Sequence, residues 1–76
     1  MISSNYIEQN PAILVGKPII KGTRISVEMI LEKLASGQSE EDILLDYPRL
    51  TKEKIRAALS FASSFMQEFQ MYSIAS

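Results

Sequence analysis

Residues 39–62 read SEEDILLDYPRLTKEKIRAALSFA, and this run decides the fold because two helix starts and one helix stop lie within it. Ser39 suits an N-cap, and Asp42 three residues on gives a short-armed capping box. Glu40, Glu41 and Asp42 then fall at the positive end of a helix dipole. Ile43, Leu44, Leu45 and Tyr47 wrap most of this helix, as expected for a short helix wedged between two others. Pro48 stops it. Thr51 caps a third and longest helix. Along it Ile55, Ala58, Leu59, Ala62, Met66 and Phe69 form one apolar stripe at helical spacing. Glu53, Arg56, Ala57, Ser60 and Ser64 lie on the opposite side, with Lys52 and Lys54 on the flanks. From Lys52 to Phe69 or Tyr72 the helix spans roughly 27–31 Å. Two short helices and a hairpin cannot cover that length, so one end should overhang.

Upstream, Ser26 caps a first helix carrying Val27, Ile30, Leu31 and Leu34 on one face and ending at Gly37. Before it, Pro18-Ile19-Ile20 and Thr23-Arg24-Ile25 flank a Lys21-Gly22 link and predict a tight hairpin. Tyr6-Ile7 is a candidate third strand. Asn10-Pro11 followed by Gly16 predicts one brief helical turn over residues 11–15. The expected fold is mainly α: a small three-helix bundle whose last two helices are compatible with a helix-turn-helix, with a short N-terminal β-hairpin. One domain covers residues 1–76. It comprises a helical turn and hairpin (6–25), a three-helix core (26–62) and a helical extension (63–76).

A chain of 76 residues with 46% hydrophobic and 22% charged residues makes one small globular domain, of a size that association often helps to stabilise. It has no cysteine and no histidine. A disulfide, a thiolate nucleophile, the usual general base and the commonest metal ligand are therefore missing. Its hydroxyls have no histidine to activate them. Gly16, Gly22 and Gly37 form no phosphate-cradling loop. Glu40-Glu41-Asp42 point in different directions on a helix and predict no metal site. No cofactor is implied, and enzymatic chemistry is improbable. Apolar runs reach only the four residues Ala12–Val15, and no secretion leader stands at Met1, so a cytoplasmic protein without a membrane span is expected.

The net charge of −1 argues mildly against nucleic-acid binding by bulk attraction. Its distribution is uneven. Lys17, Lys21 and Arg24 cluster without an acid, and Arg49, Lys52, Lys54 and Arg56 cluster around Glu53, with an acidic stretch between the two groups. Charges farther apart than about 8 Å are screened at physiological salt, so either cluster could attract phosphate. A helix-turn-helix would use Arg49, Lys52 and Lys54 on phosphates, with the free amides near Thr51, and Arg56 and Ser60 at base edges. The alternative is a solvated polar face whose acids and bases pair with one another. A second constellation is aromatic: Phe61, Phe65 and Tyr72 share one flank of the third helix, with Phe69, Met66 and Met71 beside them. This widens the apolar face beyond what one small domain buries and predicts a partner or dimer surface. The alternative is that the N-terminal hairpin folds back over the rings.

The string Gly16-Lys17-Pro18-Ile19-Ile20-Lys21-Gly22-Thr23-Arg24-Ile25-Ser26-Val27, with the Leu-Ala-Ser-Gly helix end at residues 34–37, resembles domain-of-unknown-function family 433. So do Ser39-x-Glu41-Asp42-Ile43, Tyr47-Pro48, Leu50-Thr51 and Ile55-Arg56-Ala57-Ala58-Leu59. The resemblance runs from about Tyr6 to Ala62, and residues 63–76 follow no motif of that family. It implies a small homeodomain-like helix-turn-helix domain with a short β element, acting as a non-enzymatic antitoxin of a prokaryotic toxin–antitoxin pair, commonly encoded beside a PIN-like nuclease toxin. On that basis the chain is expected to form a homodimer, bind double-stranded operator DNA and cap the nuclease. A protein–protein module without DNA binding is the rival reading. In the Gly22-Thr23-Arg24 motif, Gly22 would permit the turn and Thr23 would hydrogen-bond locally. Arg24 would pair with acids of the first or second helix, or else contact phosphate.

Overall fold

Helix boundaries fall where the capping residues set them. The computed structural model describes residues 5–74, with side chains through Glu68 in the last helix. Strand β1 (Ile7–Gln9) is followed by a 3-10 turn (Leu14–Gly16), β2 (Pro18–Ile20), α1 (Val27–Ala35), α2 (Glu40–Asp46) and α3 (Lys52–Ile74). Ser26 Oγ accepts the Met29 amide at 2.9 Å to open α1. At its end the Gly37 amide bonds Leu34 O and the Gln38 amide bonds Lys33 O, with Gly37 at φ +103°. These two bonds are the Schellman pattern, which needs a left-handed residue at this position. At α2, Ser39 Oγ accepts the Asp42 amide and Asp42 Oδ2 accepts the Ser39 amide, both at 3.1 Å. Thr51 Oγ1 accepts the Lys54 amide at 3.2 Å to start α3.

The Ser39 box has a measurable worth. Ser39→Ala should lower unfolding stability by about 1 kcal/mol, read as a reduced urea midpoint. An unchanged midpoint would mean that tertiary packing alone holds the start of α2.

The core lies where the three helices meet the hairpin. Ile20, Ile30, Ile43 and Ile55 are fully enclosed, with Ile7, Val27 and Leu50 around them. The protein is thus mainly α, with three helices and a small antiparallel sheet.

Four local expectations are corrected. The sheet pairs β1 with β2, Ile7 opposite Ile20, rather than residues 18–20 with 23–25. The second limb shrinks to one bridge, Ile19 to Ser26, because the chain must enter α1 at Ser26. Residues 11–15 are not a helical turn. Asn10 Oδ1 accepts the Ala12 amide, and the chain then turns left-handed at Leu14 (φ 49°), Val15 (φ 57°) and Gly16 (φ 81°). Positive φ is a strained conformation for a β-branched residue such as Val15, and its side chain is 94% exposed. Leu45 is 80% exposed, so α2 is covered on one side only. Lastly, the buried face of α3 is rotated by roughly 70° from the expected stripe. Ala57 is only 3% exposed, whereas Leu59 and Met66 face outward. The cause is that α3 packs against α1, α2 and β1 together, which draws its Ala57/Phe61 side inward.

Candidate functional site

α3 runs unbroken for 23 residues, about 35 Å, and its middle forms a wall of an apolar groove. Phe61, Ala62, Phe65 and Met66 supply that wall. Val27, Glu28 and Leu31 of α1 face them, and Gln9 and Pro18 close one end; the groove holds about 350 Å³. The Phe61 and Phe65 rings stack with centroids 6.5 Å apart and planes inclined by 8°. Phe61 is partly covered, but Phe65 is 51% and Met66 62% exposed. Phe61 packs against the core, and Gln9 and Pro18 of the two strands line the same groove as both rings. Side chains of Phe69, Met71 and Tyr72 lie outside the described residues. Pro18, Val27 and Leu31 were not expected here. They looked like core or strand positions, and only their partial cover by α3 exposes an apolar edge.

The basic constellation is divided. Lys52 Nζ lies 3.3 Å from Glu41 Oε2, and Arg56 Nε lies 3.9 Å from Glu40 Oε2. The N-termini of α2 and α3 are neighbours, so the acids that suit one dipole also neutralise the cations on the other helix. The Glu41 carboxyl is held below its ordinary range, first by its own backbone amide and then by Lys52. A depressed carboxylate contributes stability above its unfolded pKa, and that contribution is lost as pH falls through the folded value. Both groups are exposed, so the pair is a weak one. Lys54 Nζ donates to Arg49 O at 3.4 Å, and the Thr51 hydroxyl is occupied by its cap. Ser60 is partly buried. Lys17 pairs with Glu28 at 2.8 Å, and this contact holds its ammonium above the usual range.

Arg24 does not behave as the pairing expectation required. No carboxylate lies within ion-pair distance of it among the described residues, and the same holds for Arg49. Gly22 sits at φ +80° with open space beside it. Thr23 locks the turn: its hydroxyl donates to Ile20 O at 2.8 Å and accepts the Ile25 amide at 3.0 Å. Among the described residues no acidic or other cluster is disposed to hold a metal ion, and no helix is long and apolar enough to cross a membrane.

The described residues form a small three-helix domain with an antiparallel hairpin and an apolar groove along its last helix. A sequence model of the family described as "Protein of unknown function (DUF433)" matches residues 7–62, and the chain belongs to that family. The chain is 38% identical over 58 residues to the uncharacterized protein y4eO of Sinorhizobium fredii (strain NBRC 101917 / NGR234), covering 76% of this chain and 26% of the relative. It thus spans about a quarter of that relative's length. The crystal structure of a DUF433 member protein from Anabaena variabilis ATCC 29413 superposes with a TM-score of 0.79 at 28% identity, over 95% of this chain and 70% of that one. The shared fold therefore extends beyond the segment that the family model matches.

Proposed function

We propose that this chain is a non-enzymatic, cytoplasmic antitoxin that holds a PIN-like nuclease in the groove beside Phe61, Phe65 and Met66. The observation that carries the reading is the half-exposed Phe65–Met66 edge of an apolar groove that stays partly open among the described residues. Leaving such an apolar strip in water is unfavourable, at about 25 cal/mol per Å², and a partner's apolar side chains would offset that cost. Residues 63–68 add helix without joining the buried core, which suits a lever reaching toward a partner. A homodimer through the same overhanging helix belongs to this reading. The full chain should sediment at twice its own mass, and a monomer at all accessible concentrations would remove the dimer.

The test of function is a calorimetric titration with a PIN-like nuclease. Saturable binding, together with loss of nuclease activity, is expected. Absence of both heat and inhibition would contradict the proposal.

A second reading, operator binding, is favoured by one observation. α2 and α3 follow one another across a short link, an order compatible with a helix-turn-helix, and Arg24 and Arg49 have no ion-pair partner among the described residues.

A further inference from the structure

The Gly22-Thr23-Arg24 turn has a neighbour that the sequence does not announce. Arg49, from the link between α2 and α3, lines the same open groove of about 660 Å³ as Gly22, Thr23 and Arg24. This groove shares no lining residue with the apolar one. Glu8 lines the first and Gln9 the second, and adjacent strand residues point to opposite faces.

We propose that this groove contacts the phosphodiester backbone of double-stranded DNA, with Arg24 on one side and Arg49 on the other. The proposal rests on the operator-binding reading and relocates its contacts. Lys17, Lys52 and Arg56 each have a carboxylate partner, so their charge is partly spent inside the protein. Arg24 and Arg49 have none among the described residues. Guanidinium forks match phosphate oxygens in a bidentate way. The backbone adds donors, because neither the Gly22 nor the Arg24 amide has a hydrogen-bond acceptor among the described residues. No Cβ at Gly22 blocks close approach. Thr23 spends its hydroxyl on the turn itself, so the site is shaped before any ligand arrives. Lys54 reaches the Arg49 carbonyl and brings a third cation to that side. Exposed Lys21 stands next to Gly22 in the chain. Glu8 opposes them and is the one acid in the lining. Arg49 also sits in the link between α2 and α3, and phosphate contacts from such a position would fix the register of the helix pair on the duplex. Two cationic arms on separate elements suit successive phosphates along a strand better than a single carboxylate.

The test is fluorescence anisotropy of the full chain with a labelled random-sequence duplex, repeated across salt concentrations. Arg24→Gln and Arg49→Gln should each lower the log–log salt slope by about 0.9, and the double variant by about twice that. Glu8→Gln, which removes the opposing charge, should tighten binding severalfold. Lys52→Gln with Arg56→Gln should change the slope less than the Arg24/Arg49 pair does. A slope untouched by the two arginines but lowered by the Lys52/Arg56 pair overturns the groove and leaves operator binding standing. No duplex binding by the unaltered chain at low salt overturns both. Loss of nuclease binding in the Arg24/Arg49 double variant, with duplex binding intact, overturns the proposal in favour of an acidic peptide ligand.

Discussion

Phe65→Ala should weaken binding of the proposed PIN-like nuclease partner about thirtyfold or more, the ~2 kcal/mol typical of a central aromatic anchor, while the domain remains folded. The two halves of that expectation have separate causes. The ring is half exposed, so folding gains only part of what its burial could give, its stack on Phe61 being worth about 1 kcal/mol. Binding gains much more, because a partner would complete the burial of Phe65 and Met66 together. Calorimetry of the variant, paired with thermal unfolding, reads both quantities. A variant that binds normally would place the partner elsewhere. One that unfolds would show the ring to be part of the core.

Ile55→Ala should have the opposite profile. Ile55 is fully enclosed where α3 meets the other elements, and truncating such a residue costs about 2–5 kcal/mol. Small domains have total stabilities near the lower end of about 5–15 kcal/mol, so this loss should leave the domain on the edge of unfolding at 25 °C. Leu45→Ala, at an exposed site of similar hydrophobicity, should stay within about 0.5 kcal/mol. Urea unfolding of the two variants checks the pair. Equal midpoints would mean that the packing around α3 is not the source of stability.

The sequence stated helix ends well and helix faces less well. Ser26, Gly37, Ser39 and Thr51 act locally, through bonds spanning three to five residues, so their patterns are legible without the rest of the chain. The orientation of α3 is set by three separate elements, and an alanine such as Ala57 carries too weak a signal to reveal which side they choose. The partners of the strands were likewise hidden. Residues 7–9 and 18–20 find each other across a left-handed turn at Leu14 and Val15, and neither residue type advertises that conformation. The aromatic flank was visible as an excess of apolar surface. Its facing wall from Pro18, Val27 and Leu31 was not, because those residues also have core-like neighbours. Lys52 and Arg56 looked available for phosphate because the closeness of the α2 and α3 N-termini is a tertiary fact.

The central claim is that an apolar groove along α3, rather than its charged start, holds a protein partner. The heat-capacity change of nuclease binding measures this most directly, since burial of apolar surface makes it negative. A clearly negative value that shrinks in Phe65→Ala and varies little with salt is the expected result. A value near zero, with affinity that falls steeply as salt rises, would contradict it and assign the partner to the charged face.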